Sequence, residues 1–367
     1  METCLRDARA FVAANPDTEA GYETLIDLLS KHSGRAFRRS LNALAIAEAR
    51  EIITLAAARR EKFPGVAADL ALADAFTVLA NPLSFTGQLE ETRNLLLRSI
   101  ELREKLSAQA PANATWKRTL SRDHSILARI LWVRDGFHLE EPNAALTHLL
   151  RSYSIVDELF AKDPSNVVAE FDVLNVSDAL ARLLADSDPP AALKYDTRAI
   201  GIAEATFARL PKSANAKHNL ADLMATAGTT IYRHNRPAAI AAMERGIAFR
   251  WQIANAAPQQ PGLRFLIIND YRHYAALLVA AGRRADAAAA YAEAEKIAVT
   301  IDPDKTSFAY VAASANLYHD LAAFNSSCAA FSKEAAAWRA LAVRKVAPGF
   351  IAPRLASAEK RAAACKP

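Results

Sequence analysis

Glycine is scarce in this 367-residue sequence, which contains 11 glycines, and runs of valine, isoleucine or threonine that could form strands are few. Hydrophobic residues make up 52% of the chain, and alanine has a large share of them. Alanine favours helices, whereas strands are built mainly from the β-branched and aromatic residues. The composition therefore predicts an all-α protein.

Cysteine is scarce as well. The three cysteines, Cys4, Cys328 and Cys365, are odd in number and lack the CxxC or CxxH spacing of zinc ligands. They predict neither a disulfide framework nor a zinc site. We expect buried or idle thiols in a reducing compartment.

Long hydrophobic runs are absent. Residues 1–30 carry charges throughout and contain no apolar core of signal-peptide length, and nowhere do 18 apolar residues follow one another. The sequence predicts no membrane segment. We expect a cytoplasmic protein if the chain is complete, and an extracytoplasmic one only if it is the tail of a longer membrane-anchored protein.

Catalytic and metal-binding signatures are also missing. The 8 histidines form no HExxH motif, and neither GxSxG nor a Cys-His signature occurs. The densest metal-like group is His138 with Asp135, Glu140, Glu141 and His148, but it spans a predicted turn, where polar residues are common. We therefore predict no catalytic residue, no metal site and no cofactor.

The charge balance is weakly basic. Lys and Arg number 45 against 40 Asp and Glu, which gives a net charge of +5, and the two signs are interleaved rather than grouped in a basic block. This pattern permits binding to nucleic acid without indicating it.

What the sequence does contain is a proline at nearly constant intervals of 45 to 53 residues. A fixed period of this size is typical of one supersecondary unit stacked on copies of itself. The sequence therefore predicts a repeat of about 47 residues. The recurring prolines are Pro16, Pro64, Pro111, Pro164, Pro211, Pro258, Pro303 and Pro348.

One period contains two helical stripes. Between Ala214 and Arg233, apolar residues recur three or four positions apart, and residues 234–237 interrupt the pattern. A second apolar stripe follows and ends at Pro258, which cannot continue the preceding helix. Each unit is therefore predicted to be a pair of helices.

Small residues recur in the same register, which predicts close approach of neighbouring helices. On the first helices these positions are Asn81, Ala128, Ala181, Gly228 and Ala275. On the second helices they are Thr92 and Ser99, Ala145 and Ser152, Ala192 and Ala199, Ala239 and Gly246, Ala287 and Ala294, and Ala329 and Ala336.

Two other features have simple interpretations. Trp251 and Trp338 lie at core-like spacing on second helices, so we predict that they pack in the interior. Residues 81–87 are rich in helix breakers, and we predict a longer loop there between two helices.

Small residues at fixed points, a large apolar residue between them and a closing proline together resemble the tetratricopeptide repeat. The resemblance implies a right-handed superhelical solenoid of about seven antiparallel helix pairs, although the usual repeat is shorter, at about 34 residues. We predict an N-terminal half-repeat or cap over 1–16, the repeat array over 17–348, and a C-terminal capping helix and tail over 349–367.

A narrower resemblance rests on the phrase from Arg98 to Leu106, on Pro111 to Asn113, and on residues 81–92. These look like the tetratricopeptide tails of bacterial membrane-anchored serine/threonine protein kinases. The chain has no Gly-rich nucleotide loop and no HRD, DFG or APE motif. The resemblance therefore implies a regulatory or partner-binding module in bacterial signalling, without phosphoryl transfer.

The resemblance also implies a binding surface, because the first helix of each tetratricopeptide pair lines the concave face. Arginine matches carboxylates, and Trp and Tyr give rigid contact area, so these residue types suit an acidic or C-terminal peptide. The alternative is that they are solvated charges paired within their own helices. The implied residues are Arg129, Trp132, Asp178, Arg182, Thr229, Tyr232, Arg233 and Arg272.

The function that these observations favour is a non-catalytic module that binds a peptide or partner protein. A nucleic-acid-binding helical repeat is the first alternative, and it would show binding that weakens steeply with salt. The second alternative is an enzyme with a scattered site, which would require a pocket with clustered, perturbed titratable groups.

Overall fold

The computed structural model of the chain describes residues 2–39, 41–133, 138–231, 235–257, 264–300, 308–343 and 348–365. These residues form 16 helices and no strand, which confirms the all-α prediction. The chain divides into two compact units, Met1–Lys162 and Asp163–Pro367, a division that the sequence did not predict.

The first unit is built from helices that pack against their neighbours in the sequence. The pairs α2–α3, α4–α5 and α6–α7 are in contact, and α3 also contacts α4, as α5 contacts α6. The helices are α1 (Glu2–Ala14), α2 (Glu19–Arg38), α3 (Asn42–Lys62), α4 (Val66–Phe85), α5 (Leu89–Gln109), α6 (Ala114–Leu131) and α7 (Pro142–Lys162).

The second unit repeats this arrangement. The pairs α8–α9, α10–α11, α12–α13 and α14–α15 are in contact, and so are α8 with α10 and α12 with α14. We call the leading helix of each pair its first helix and the following one its second helix. The helices are α8 (Val167–Leu184), α9 (Pro189–Arg209), α10 (Ala214–Ile231), α11 (Arg236–Ala256), α12 (Arg264–Ala280), α13 (Arg284–Ala298), α14 (Phe308–Asn325), α15 (Cys328–Val343) and α16 (Pro348–Ala364).

At Pro111, Pro164 and Pro211 the recurring proline is the second residue of a four-residue turn ahead of a first helix. Proline suits the second position of such a turn because its φ angle is already fixed. The residue that closes the turn then caps the helix: Asn113 Oδ1 accepts from Trp116 N at 3.1 Å, and Asn166 Oδ1 accepts from Val168 N at 3.0 Å. The turn hydrogen bonds run from Asn113 N to Ala110 O (2.9 Å), Asn166 N to Asp163 O (3.1 Å) and Ser213 N to Leu210 O (3.0 Å).

The small residues lie where helices approach each other closely. A Cβ atom on Gly228 would come within 2.5 Å of Met243 Cγ on the paired helix, so no larger residue fits without movement. The predicted register is wrong in the last pair, where Ala329 and Ala336 are exposed. The buried alanines of α15 lie one residue later, at Ala330 and Ala337, because this helix follows a different turn, with Ser326 in the left-handed region at φ 52°.

The predicted loop over residues 81–87 is wrong in extent. Helix α4 continues through Pro82 to Phe85, because Leu79, Ala80 and Leu83 are buried against neighbouring helices and hold the last turn in place. The chain turns only after Phe85, where Gly87 adopts a left-handed φ of 80°. Interior packing here outweighs the breaking effect of proline.

Helix α4 is also long and apolar enough to cross a membrane by length and composition, the one such helix among the described residues. Ten of its residues are buried, and it packs against α3 and α5. Packing inside the first unit accounts for its apolar character.

The C-terminal helix α16 is covalently fixed. Cys328 and Cys365 form a disulfide with their Cα atoms 5.5 Å apart, so the prediction of idle thiols is wrong for these two residues. The sequence could not predict this pairing, because the two cysteines are 37 residues apart. They meet only because the end of α16 lies beside the start of α15. Cys4 remains a free, exposed thiol.

Two buried arginines tie second helices to the first helices on either side. Arg103 of α5, 2% exposed, donates through Nε to Asp123 at 2.8 Å and through Nη2 to Asp74 at 2.6 Å. Asp123 also accepts from Ser99 Oγ at 2.6 Å, so the charge pair has further hydrogen bonds. In the second unit, Arg250 of α11 repeats this arrangement with Asp222 and Asp270.

The two tryptophans pack as predicted. Trp338 belongs to a buried cluster with Val311 and Leu341. Trp251 is partly buried against the core of the second unit, and its Nε1 donates to Tyr271 Oη at 3.2 Å.

Candidate functional site

The residues implied by the resemblance fall in both units. Arg129 and Trp132 belong to the first unit, whereas Asp178, Arg182 and Arg272 belong to the second. For the remaining three residues, Tyr232 and Arg233 lie outside the described part of the chain, and Thr229 lies on α10 with a side chain that is not described.

Arg129 lies on α6, and its side chain is in contact with solvent. Burial by the surrounding protein atoms lowers the pKa of its guanidinium from the ordinary value. Within the described ranges it has no ion-pair or hydrogen-bond partner. Arg129 is therefore a cation without a counter-charge among the residues that the structure describes.

Trp132 does not lie on the first helix as expected. Helix α6 ends at Leu131, and Trp132 is the C-cap residue in an extended conformation, with its N–H bonded to Ala128 O at 2.9 Å. Its ring centroid lies 6.1 Å from that of His138. The single-residue error arises because periodicity does not fix a helix end.

Arg182 of α8 links two successive first helices. Its Nε donates to Asp178 Oδ2 at 2.8 Å within α8, and its Nη2 donates to Thr226 Oγ1 on α10. Burial lowers the pKa of Arg182, but the carboxylates of Asp178, Asp222 and Asp196 outweigh this effect, so the pKa lies above the ordinary value. The side chain is nevertheless 45% exposed and can contact a ligand.

Asp196 of α9 lies beside this pair and is completely buried, with 0% exposure. Neither carboxylate oxygen accepts a hydrogen bond from the described residues. The nearby Thr230 hydroxyl instead donates to Thr226 O at 3.2 Å. Burial and the charge of Asp178 raise the pKa of Asp196 to about 7, although Thr230 and Arg182 act in the opposite direction. We call Asp178, Arg182, Asp196 and Thr226 the Arg182 cluster.

Arg272 makes the equivalent link further along the second unit. Its Nε on α12 donates to Asp320 Oδ2 on α14 at 2.8 Å. Arg182 and Arg272 are therefore both neutralised by carboxylates of their own chain, as the alternative interpretation expected for charged helix faces. Only the Arg182 pair lies within a single helix.

A hollow of about 400 Å³ opens beside Asp320, between α12, α13 and α14. We call it the α12–α14 hollow. One wall is fixed by Arg284, whose guanidinium carbon lies 4.1 Å from the ring centroid of Phe324. The hollow is lined by Ala276, Val279, Arg284, Tyr291, Asp320, Ala323 and Phe324.

The structure brings together only Asp178 and Arg182 among the implied residues that it describes. Three residues that neighbour or correspond to this pair were not predicted from the repeat register, namely Asp196, Thr226 and Asp320. The recurrence of the trio Asp74, Arg103 and Asp123 in Asp222, Arg250 and Asp270 was a usable signal for charges that connect helices.

The metal-like group of the sequence analysis does not assemble. His148 lies on α7 with its Nδ1 2.9 Å from Nδ1 of His124 on α6, whereas Glu141 pairs with Arg93. His138 Nδ1 accepts from Glu140 N at 3.0 Å. No group of three or more metal-ligating side chains occurs among the described residues, and Asp135 lies outside them.

The arrangement in the second unit is suited to binding. Its donors and acceptors, Arg182, Thr226, Arg272 and Asp320, are held in place by their mutual bonds and occur on successive first helices. A preorganised polar surface lowers the entropy that is lost when a ligand is bound. We call Asp178, Arg182, Arg272 and Asp320 the first-helix surface, and the buried Thr226 holds Arg182 in place from the interior.

Comparison with known proteins gives a fold but no family. No protein-family profile matches the sequence, and no curated protein matches it. The solved structure of the apo form of RapI is similar over 86% of this chain and 98% of that chain, with 14% identity and a TM-score of 0.51. The fold is a tetratricopeptide-like helical repeat.

Other solved tetratricopeptide-like structures align with lower scores. A tetratricopeptide repeat protein from Parabacteroides merdae has 14% identity and a TM-score of 0.43 and covers 91% of this chain and 98% of that one. A Rap protein complexed with competence and sporulation factor has 11% identity and a TM-score of 0.41 and covers 93% and 99%. At this identity the tetratricopeptide-like similarity describes architecture, and function has to be argued from the surface itself.

Proposed function

We propose that this chain is a non-catalytic scaffold that binds an extended segment of a partner protein along the first-helix surface of its second unit. The observation that carries the proposal is the row of mutually bonded donors and acceptors on successive first helices, next to the α12–α14 hollow. In this row Arg182 is 45% exposed, and Arg272 and Asp320 are partly exposed. An extended peptide presents backbone N–H and C=O groups at regular intervals and side chains that a hollow can receive.

The proposed ligand is polar rather than strongly acidic at this surface. Arg182 and Arg272 already face Asp178 and Asp320, so an additional carboxylate would meet a negative as well as a positive charge. A segment with both donors and acceptors and one apolar side chain for the hollow fits better. Regulation of a bacterial signalling partner is the setting that we propose for this scaffold.

Selection of peptides from a random display library on the purified chain tests the proposal. Ala323→Trp places a ring in the hollow, and Ala323 is exposed, so the fold should persist. The selected peptides should bind this variant at least about tenfold more weakly than the wild type. Removing one polar link with Arg272→Gln and Asp320→Asn together should weaken binding as well.

Matched controls lie on second helices. Ala289 of α13 is exposed, and Arg245 of α11 forms an exposed ion pair with Glu204 of α9, a counterpart of the Arg272–Asp320 link. Ala289→Trp and the double variant Arg245→Gln with Glu204→Gln should leave peptide affinity unchanged. Equal losses in the first-helix and second-helix variants would refute this location for the binding surface.

We also propose that the protein works in an oxidising compartment, in place of the cytoplasmic location expected from the sequence. The disulfide between Cys328 and Cys365 supports this, because disulfides persist where thiols are not kept reduced. Alkylation in unreduced host cells followed by mass spectrometry should label Cys4 alone. Labelling of all three cysteines would favour the cytoplasm.

A further inference from the structure

A second hollow, unrelated to the first-helix surface, lies in the first unit where α2 ends and α3 begins. Its volume is about 450 Å³. It combines an apolar floor with a basic rim, since Leu41 and Leu44 are 46% and 41% exposed beside three arginines. We call it the α2–α3 hollow, and it is lined chiefly by His32, Arg35, Arg38, Arg39, Leu41 and Leu44.

The three arginines of the rim have no counter-charges in the described part of the chain. Arg35, Arg38 and Arg39 are exposed, and none makes an ion pair or a side-chain hydrogen bond with another described residue. This is unusual in a chain where Arg9, Arg50 and many others pair with carboxylates of neighbouring helices. The rim therefore carries three cations that are available to a ligand.

The end of α2 does not require these side chains for capping. Its last carbonyls are bonded by the backbone, from Arg39 N to Arg35 O at 3.1 Å and from Leu41 N to Ala36 O at 2.9 Å. The helix dipole favours basic residues near this terminus, but it gives no reason for two exposed leucines among them. A ligand that carries both acidic and apolar groups would explain a surface that is both basic and apolar.

The start of α3 adds to the attraction for an anion. Its N-cap residue is Leu41, whose aliphatic side chain cannot accept from the N–H groups of the first turn. Those donors and the positive end of the helix dipole lie at the same hollow as the arginines. His32 is already engaged, with Nδ1 2.6 Å from Glu48 Oε1.

We propose that the α2–α3 hollow binds an acidic protein segment that carries a large apolar side chain. Carboxylates of the segment pair with Arg35, Arg38 and Arg39, and the apolar side chain covers Leu41 and Leu44. A protein segment fits better than an acyl lipid, because a shallow hollow with half-exposed leucines cannot enclose a hydrocarbon chain. The apolar floor also favours protein over nucleic acid, which would be held mainly through phosphates.

Fluorescence anisotropy with labelled synthetic peptides tests the proposal. The probe is a short peptide that alternates Glu with Leu, and its relatives replace Leu by Ser or Glu by Lys. The full-length wild type should bind the Glu/Leu peptide and bind both relatives at least about tenfold more weakly. Oligo-uridine and phosphatidylglycerol vesicles serve as the nucleic-acid and lipid probes.

Two sets of substitutions test the arginines and the leucines of the hollow separately. Arg35→Gln, Arg38→Gln and Arg39→Gln together should weaken the Glu/Leu peptide at least about tenfold, because charged hydrogen bonds are lost. Leu41→Ser with Leu44→Ser should weaken it at least about threefold while preserving the fold, since both leucines are exposed. The matched control removes three exposed cations elsewhere in the first unit, with Arg6→Gln, Lys105→Gln and Arg122→Gln, and should change little.

Several results would overturn this assignment. Equal affinity of the hollow variant and the charge-matched control would show that net charge alone attracts the peptide. Tighter binding of oligo-uridine or of vesicles than of the Glu/Leu peptide would assign the hollow to another class of ligand. Absence of measurable peptide binding by the wild type would also reject the proposal.

Discussion

At the scale of single residues, two interior arginines of this protein are each paired with carboxylates on both sides. Arg103 meets Asp123 and Asp74, and Arg250 meets Asp270 and Asp222. Such pairs add little net stability relative to apolar packing, but removing one partner leaves an uncompensated buried charge. They therefore act mainly to fix how one helix pair joins the next.

Asp123→Ala should lower the free energy of unfolding of the first unit by up to about 3–5 kcal/mol, because the buried Arg103 would keep only the exposed Asp74 as a counter-charge. Hydrogen exchange of peptides from α4 to α6 measures the change. The control is Glu101→Ala, which breaks the exposed pair with Lys105 and should change the free energy of unfolding little. A cost for Asp123→Ala as small as that of the control would contradict the role given to Arg103.

The residue scale is also where prediction from the sequence was least complete. Arg182 was identified by its register on a first helix, but its partner Thr226 and its neighbour Asp196 come from other helices. Periodicity assigns a side chain to a face, whereas contacts between repeats depend on how far adjacent helices are offset. The α2–α3 hollow could not be predicted from periodicity for the same reason.

At the scale of elements, the sequence predicted the helix pairs well because the proline turns and small residues are local signals. Helix α10 was expected from Ala214 to Arg233 and is observed from Ala214 to Ile231. The errors at Pro82 and in α15 occurred where buried contacts or a different turn replaced the usual signal. The Cys328–Cys365 link had no local signal at all.

Cys365→Ser should loosen α16 without unfolding the rest of the second unit. The disulfide closes a loop across 37 residues, which corresponds to a loss of up to about 4 kcal/mol when it is removed. The Arg339–Glu359 ion pair holds the helix only weakly, since both side chains are exposed, whereas Arg361 of α16 pairs with the buried Glu334. Hydrogen exchange should rise in α16 while α10 stays protected.

Cys4→Ser is the control for that variant, because Cys4 is free and exposed. It should leave exchange in α16 unchanged. If Cys365→Ser also leaves α16 fully protected, apolar packing of Ile351 and Ala358 is sufficient to hold the helix, and the disulfide has no role in anchoring it.

At the scale of the whole molecule, the first unit contains buried histidines and the second contains buried aspartates, and burial shifts the pKa values of these two residue types in opposite directions. In the first unit, burial and then the neighbouring His148 lower the pKa of His124 to about 4, and burial lowers the pKa of His148. In the second unit, burial raises the pKa of Asp196 to about 7 and that of Asp270 to about 6. On the basis of these groups, we expect the two units to respond to acid in opposite directions.

Acidification from pH 7.5 to 5 should destabilise the first unit and stabilise the second. Below about pH 6.5 an unfolded histidine binds a proton that folded His124 does not bind, so acid favours unfolding of the first unit. Below about pH 7 folded Asp196 binds a proton that an unfolded aspartate does not bind, so acid favours folding of the second unit. Each group contributes at most about 1.4 kcal/mol per pH unit. Hydrogen exchange, corrected for the intrinsic effect of pH, resolves the two responses.

Two substitutions check the origin of these responses. His124→Gln should flatten the pH dependence of the first unit alone, and Asp196→Asn should flatten that of the second unit alone. Parallel responses of the two units, or a flattening of both by one substitution, would show that other groups control the effect.

Because Pro111, Pro164 and Pro211 share the same turn, a whole repeat can be deleted or duplicated between them with the same connection at the junction. Deleting residues 164–210 would join Asp163 directly to Pro211 and recreate the same proline turn, followed by Ser213 as the cap of the next helix. Because the junction keeps its local geometry, a repeat can be lost or gained without inventing a new connection. Gene duplication or deletion at these prolines is therefore a direct route to longer or shorter relatives of this protein.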